Sequence, residues 1–469
     1  MKKYDVIVIG MGPAGMAVAN IAHAAGMSVL TVEKNKVGGE CLNCGCIPSK
    51  AILKTAQIKN DIENLEKFGL ELSGNAKITS ALELIRRKID TIGKAKATKM
   101  FENVDSIVSQ GEATFVDEHT IRVKDNLYKG KFIFIAVGSE PSIPNINGLS
   151  EIDYLTNKNL FKLENIPESL VIIGGGAIAC EMGQAFRRLG AKVSLINMDD
   201  HIIPSIDKDV ASVLDEKLRN EGIDIFNGTT VDEFQKTLNK IEVSFSNKKL
   251  VCDRVLIAAG RKPAIDKLGL DRIGIKYTKY GIDVDEFNRT NIKHIYAIGD
   301  CNGKSLFSHA AMHQGMLSAM HMIKSTSPCS LKRSGYVVPF SIFTDPEIAH
   351  VGLTEKEAKE KNIEFRVIKE YYRDYGRVLI DGKDDGFIKI IATPKGTILG
   401  VSIVGDAASE LITEWAMALQ FNITLDEVAM TQHPFPAVSL LNMRAAQKFM
   451  MGKFLEQMKK RRVGKSEIA

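Results

Sequence analysis

The chain has 469 residues, of which 45% are hydrophobic and 25% charged, the composition of a globular protein of roughly two to four domains rather than of a disordered or membranous one. Its 62 Lys and Arg exceed its 57 Asp and Glu by only 5, and the basic run at 459–465 has no aromatic residues interleaved, so it reads as a solvated terminus and no nucleic-acid partner is expected. Seven cysteines at uneven spacing do not suggest a secreted disulfide framework.

Residues 4–9 are a short β-branched run of the kind buried on both faces of a parallel sheet. They lead into Gly10-Met11-Gly12-Pro13-Ala14-Gly15, an Ala-rich helix to about residue 25, a second strand at 28–32 and then Glu33, 23 residues after Gly10. Gly10 permits the tight turn, and Gly12 lets the backbone approach a pyrophosphate. Gly15 allows close helix–strand packing, and Glu33 can accept from ribose hydroxyls. The two lysines and apolar run at the start resemble a leader peptide, but the glycine spacing and the acid argue for a nucleotide-binding turn. The expectation is a cytoplasmic protein without membrane insertion.

At 38–50 the chain reads GGECLNCGCIPSK, three cysteines in six residues. Cys41 with Cys44 makes a CxxC, and Cys41 with Cys46 a CxxxxC; the residues alone leave both open. Five residues of regular helix rise about 7.5 Å, too far for a disulfide, so a 41–46 bond requires a bend that Asn43 and Gly45 tolerate. Pro48 suits the first turn of a helix and places Cys46 near its positive end, where a thiolate is stabilised.

The nucleotide pattern recurs from residue 170: a strand, Gly174, Gly176, Ala179 in the third small position, and a second strand ending at Asn197, again 23 residues after the first glycine. No Arg or Lys stands at or beside Asn197, whose neighbours are Met198, Asp199 and Asp200; acids there repel a 2′-phosphate, so NADH is favoured over NADPH. Strand-then-glycine segments follow at 133–141, 255–266 and 294–303, the last delivering Asp300 to a turn. Cys180, Cys252 and Cys301 read as small buried hydrophobes, and Cys329 sits in a polar connector without a visible partner.

Taken together and in this order, the two glycine motifs, GGxCLNxGCIPSK, the AGRxP at 259–263, the GD at 299–300 and the stretches 337–355 and 396–412 resemble the class I pyridine nucleotide-disulfide oxidoreductases, the family of dihydrolipoamide dehydrogenase, glutathione reductase and mercuric reductase. The resemblance covers nearly the whole chain. It implies an α/β fold with two Rossmann-like domains and a C-terminal α+β dimerisation domain. The FAD domain would span 1–148 and 269–332, the NAD domain 149–268 and the interface domain 333–469. It implies FAD and NAD(H) as cofactors, a homodimer, and electron flow from NADH by way of FAD to a Cys41–Cys46 disulfide, with Cys46 facing the flavin, Cys41 meeting the acceptor and Cys44 a bystander. Lys50 and Glu181 would sit by the flavin. Gly10, Gly12, Gly15, Glu33, Ala113, Gly138, Asp300 and Ser308 would hold FAD. Gly174, Gly176, Ala179, Asn197, Val231 and Gly260 would join Glu181 in holding NAD. No resident metal is implied.

One segment departs from the family. Disulfide-reducing members carry a HAHPTLSE-like stretch whose second His is the acid–base group for the interchange thiol and whose Glu orients it. Here 433–440 reads HPFPAVSL. The gapless alignment puts Phe435 at the catalytic His and Leu440 at the Glu, leaving His433 at the first His. An alternative register makes His433 the proton donor but loses the serine match. Mercuric reductases have Tyr at the position of Phe435, and their terminal cysteine pair is absent here. Loss of the dyad disfavours ordinary dithiol turnover, since such a group contributes about 10² to 10⁴ in rate. The expectation is a soft acceptor, with dihydrolipoamide, metal-ion and quinone reduction as alternatives.

Overall fold

The computed structural model describes residues 1–74, 77–93, 99–324 and 336–466; Cys329 lies outside them. Two compact units are formed, the first by Met1–Thr55, Lys77–Gly174 and Val231–Ser334, the second by Ala56–Ala76, Gly175–Thr230 and Gly335–Ala469.

In the first unit a mainly parallel sheet runs in the order Asp105–Val108, Val29–Glu33, Lys2–Ile9, Asn126–Ile135, then antiparallel to Thr120–Val123 and Ala113–Asp117, with Ile295–Ala297 also paired to Asn126–Ile135. The strand Lys2–Ile9 explains why the sheet must be covered on both sides. Ile7 and Ile9 enter one apolar cluster with Phe115, Ile133 and Ile135, whereas Val6 and Val8 enter another with Val18, Ala19 and Phe134. Register aligns the strand ends: Ile9 pairs with both Val32 and Ile135, and Ile135 with Ala297. Gly10, Glu33, Gly138 and Asp300 therefore leave the sheet at one carboxyl edge, where nucleotides bind in such sheets.

Gly10 takes φ +107°, and a Cβ on it would lie 2.2 Å from the Ala136 carbonyl oxygen. A Cβ at Gly15 would fall 2.0 Å from the Gly10 carbonyl oxygen, so the helix Pro13–Ala24 packs on the strand only because that atom is missing. The second glycine motif repeats the design. Ile173 pairs with Ile257, and Gly174 turns at φ +126° with its Cα against Ala258. The helix Ala177–Arg188 follows it in the chain.

The second unit contains the five-stranded antiparallel sheet Phe340–Ile342, Glu347–Gly352, Ile398–Gly405, Phe387–Ala392, Arg366–Tyr371, backed by the helices Ala408–Phe421 and Leu440–Ser466 around Trp415 and Tyr372. The chain is thus α/β in its two Rossmann-like parts and α+β at its C-terminal end. Among the described residues no helix is long and apolar enough to cross a membrane.

Candidate active site

The segment around the three cysteines folds as a short helix, Gly39–Cys44, and a long one, Cys46–Glu63, meeting at Gly45. Asn43 sets the first turn by donating to the carbonyls of Val37 at 3.0 Å and Gly39 at 2.8 Å. Gly45 makes the corner: a Cβ there would lie 2.9 Å from the Glu40 carbonyl oxygen. Cys46 then opens the long helix, whose first bond runs from the Ser49 amide to the Gly45 carbonyl at 3.0 Å. The required bend is a change of helix. It brings Cys46 near Cys41, close enough for each thiol to shift the acidity of the other.

All six described cysteines are thiols. Their acidities are split. The hydrogen bond from Cys41, a second from Ser308, whose Oγ lies 3.2 Å from Cys46 Sγ, and the charge of Lys50 bring Cys46 down to about 6 against the cost of burial. The same bond to Cys46, followed by burial, pushes Cys41 far up. The pair thus favours negative charge on Cys46 and the proton on Cys41. Cys44 is raised to about 11 by burial and then by Glu40, with Arg261 opposing. Burial also raises Cys180, Cys252 and Cys301.

At the sheet edge, Glu33 is buried and organises the first glycine turn: its two carboxylate oxygens accept from the amides of Met11 at 3.0 Å and Asn35 at 2.8 Å. A Cβ at Gly12 would meet only the Gly39 Cα, at 3.9 Å, and one at Gly138 would meet nothing within 4 Å. That open space at the helix N-terminus at Pro13 fits a pyrophosphate. Asp300 accepts from Ser139 Oγ at 2.5 Å; burial raises its pKa, while Ser139 and Arg261 oppose. Ala113 opens the strand Ala113–Asp117, and Ser308 opens the helix Ser308–Ile323.

Of the second nucleotide motif, Gly174, Val231 and Gly260 belong to the first unit, and Gly176, Ala179, Glu181 and Asn197 to the second. Space is open above both Gly176 and Gly260. Glu181 accepts from the Phe343 amide at 3.0 Å. Asn197 is only 1% exposed: its Nδ2 donates to the carbonyls of Asp199 and His201 and to Asn227 Oδ1, and its Oδ1 accepts from the Asp199 amide. The side chain braces its own loop beneath Gly175, where a Cβ would strike it at 2.4 Å. Near this loop Lys208 approaches Asp200 at 3.6 Å, a base that sequence proximity had not shown.

At the C-terminal segment, Phe435 is 79% exposed and Leu440 begins the last helix, packed against the core around Trp415. His433 has acceptors at both ring nitrogens: the Thr431 carbonyl at Nδ1 and both Glu414 oxygens at Nε2, each 3.0 Å away. Asn442 Nδ2 also donates to Glu414, at 2.7 Å. Glu414 had no sequence signal; it lies a whole helix and turn earlier. Among the described residues no three His, Cys, Asp or Glu side chains are grouped to hold a metal ion.

Comparison with known proteins places this geometry. Residues 4–315 match the model of the pyridine nucleotide-disulphide oxidoreductases, and residues 338–444 that family's dimerisation domain. The chain is 34% identical to a dihydrolipoyl dehydrogenase of Bacillus subtilis, over 91% of this chain and 95% of that protein. It is 32% identical to a mercuric reductase of Bacillus cereus, over 92% and 69%. Among solved structures it resembles the HOCl-induced flavoprotein disulfide reductase RclA from Escherichia coli, with a TM-score of 0.84 at 25% identity, over 95% of this chain and 99% of that one. A Cu(II) complex of RclA matches with a TM-score of 0.82 at 26% identity.

Proposed function

Because this chain belongs to the pyridine nucleotide-disulphide oxidoreductase family, whose members are FAD-dependent and bind a pyridine nucleotide, we propose that it oxidises NADH and reduces a soft acceptor through the Cys41–Cys46 pair. The observation that carries this reading is the change of helix at Gly45, which sets Cys46 at the start of the long helix beside the Cys41 segment, with Ser308 Oγ 3.2 Å from its Sγ.

FAD, when bound, supplies two-electron transfer between a reduced nicotinamide and a disulfide. The first glycine turn and the edge at Gly138 and Asp300 would bind it. Ser308 and Lys50 hold the negative charge on Cys46, and Cys41 keeps its proton for the acceptor side. The acids at 199 and 200 favour NADH, and Asp200 offsets the charge of Lys208. The dimerisation domain supports a homodimer, in which 433–440 would cover the partner's site.

A disulfide acceptor needs a proton for its leaving sulfur. Positions 435 and 440 are Phe and Leu, and His433 is engaged by Thr431 and Glu414. Acceptors that ask for little proton transfer fit better: thiophilic metal ions bound as thiolates, and disulfides of low-pKa thiols. The Cu(II) complex of the E. coli relative supports the metal arm of this reading. The B. subtilis relative supports dihydrolipoamide as a second substrate to be tested.

Steady-state NADH oxidation with Cu(II), an aromatic disulfide, lipoamide and a quinone separates these readings. The expected result is kcat/KM for the first two at least about tenfold above lipoamide, the low end of what a missing acid–base group costs. Equal or better turnover of lipoamide would end the soft-acceptor reading. Undiminished quinone turnover alone, in a Cys41→Ser/Cys46→Ser double variant, would make the chain a diaphorase.

A further inference from the structure

The helix Gly39–Cys44 carries the two positions that the GGxCLNxGCIPSK pattern leaves open, Glu40 and Cys44. Four residues apart, they share a helix face. Asn157 joins them: its Nδ2 donates to Glu40 Oε2 at 3.1 Å and to the Cys44 carbonyl at 3.3 Å, and lies 3.8 Å from Cys44 Sγ. Arg261 Nη2 closes on the same Glu40 oxygen. Arg261 is itself fixed, donating from Nε to Ser139 Oγ at 2.7 Å and from Nη2 to the Ser139 carbonyl at 2.9 Å. Ser139 Oγ continues to Asp300 at 2.5 Å. An unbroken polar chain thus runs from the third cysteine of the redox loop to the turn at the sheet edge.

A third sulfur in this loop has a definite reaction open to it. Cys44 as a thiolate can attack Cys41 Sγ of a Cys41–Cys46 disulfide. A Cys41–Cys44 bond forms, the Cys41–Cys46 bond breaks, and Cys46 leaves as a thiolate. The proton that Cys44 lost goes to solvent or to Cys46. No electrons enter or leave, so no oxidant or reductant is required. The isomer strands Cys46 outside the disulfide.

We propose that Glu40, held by Asn157 and Arg261, is the residue that sets disulfide specificity in this loop: its clamp on Cys44 keeps the third sulfur out of exchange and leaves Cys41 and Cys46 as the working pair. This rests on the reading that Cys41 and Cys46 are that pair. Two physical effects act together. The Asn157 contacts fix the Cys44 backbone and thiol on the Glu40 face of the helix, and the Glu40 carboxylate opposes thiolate formation at Cys44. Glu40 needs Arg261, because an unpaired carboxylate in this half-buried place would be costly.

The test uses the oxidised full-length protein, incubated over a range of pH and quenched in acid. It is then alkylated, reduced and alkylated again with a second reagent, and mass spectrometry reads the first label at positions 41, 44 and 46. Wild type should carry that label on Cys44. In Glu40→Gln and Asn157→Ala the label should appear on Cys46, faster as pH rises. In Glu40→Gln the gain should be about three- to fourfold in rate for each unit by which Cys44 becomes more acidic, since the thiolate fraction rises about tenfold below the pKa while its nucleophilicity falls; in Asn157→Ala it comes from release of the thiol's position. In Glu40→Gln/Cys44→Ser the label should leave Cys46 again, a rescue that a merely structural role would not produce. Label confined to Cys44 in both single variants overturns the proposal, as does label on Cys46 that survives in the double variant. Wild type with no disulfide among these cysteines would overturn the pairing itself, and the proposal with it.

Discussion

Cys46 owes its acidity to neighbours at very different sequence distances: Cys41 five residues before it, Ser308 from 262 residues away and Lys50 one turn after it. A thiol lowered to about 6 is a thiolate above that pH and is protonated as pH falls through it. The long-wavelength absorbance of the two-electron-reduced protein should therefore be full at neutral pH and half lost near pH 6. Ser308→Ala should move that midpoint upward, because the lost hydrogen bond favoured the charged form. A midpoint at the ordinary thiol value of about 8.5 would contradict the assignment. The loop's part of the site could be read from GGECLNCGC because the bend is local chemistry: Asn43 and Gly45 are the residues such a corner needs. Ser308, Arg261 and Asn157 come from distant segments, and no spacing announces which hydroxyl or guanidinium will meet a given thiol or carboxylate. His433 teaches the same lesson. The segment suggested a replaced dyad, but not that Glu414 engages Nε2 while the Thr431 carbonyl engages Nδ1 in the chain's own fold.

Elements of this chain are held to one another by a few buried charges as well as by apolar faces. Lys389, on the strand Phe387–Ala392, is 2% exposed and meets Asp207 at 3.0 Å, Asp209 at 2.9 Å and Glu355 at 2.9 Å, tying the start of the helix Lys208–Asn220 and the helix Glu355–Glu360 to the sheet. Lys389→Met leaves three carboxylates around an apolar side chain and should cost on the order of 3 kcal/mol in chemical denaturation. Asp209 titrates below the usual range, with Lys369 and Lys389 outweighing its burial, and Glu355 is held down by Lys359 and then Lys389. Groups with depressed folded values stabilise fully above their unfolded pKa, about 4, and lose that contribution as pH falls. The acid-side loss of stability should consequently be shallower in Lys389→Met than in wild type; an unchanged slope would exclude the network as its source. The glycine turn makes a separate prediction. Gly15→Val places a side chain where even a Cβ would sit 2.0 Å from a carbonyl oxygen, and the purified variant should carry little flavin per chain while keeping its helical circular dichroism. Full flavin content would show that the helix can move away without loss. Turns of this kind are legible in sequence because one missing atom decides them. Asn197 is the counter-case: its position in the motif suggests a ribose contact, while its packing beneath Gly175 is visible only once the loop 197–201 is folded.

At the scale of the whole molecule, the order of motifs along the chain announced two nucleotide-binding parts and an α+β end, and the fold has them. The division into compact units was less legible, since residues 56–76, on and beyond the redox helix, cluster with the C-terminal part. A homodimer should be seen by light scattering of the purified protein; a monomer at micromolar concentration would leave the exposed Phe435 without the role assigned to it. If Phe435 and Leu440 stand where the family's acid–base dyad does, Phe435→His/Leu440→Glu should raise lipoamide turnover by about 10², the low end of general acid–base contributions, with little effect on Cu(II) reduction. No gain would place those residues elsewhere in the dimer.

The central claim, that electrons are stored on Cys41 and Cys46, is tested most directly by anaerobic titration of the purified flavoprotein with NADH, followed by absorbance, for wild type and Cys46→Ser. The account predicts a long-wavelength thiolate–flavin band in wild type after two electrons and none in the variant. Simple bleaching of the flavin in both, with no such band, would contradict it.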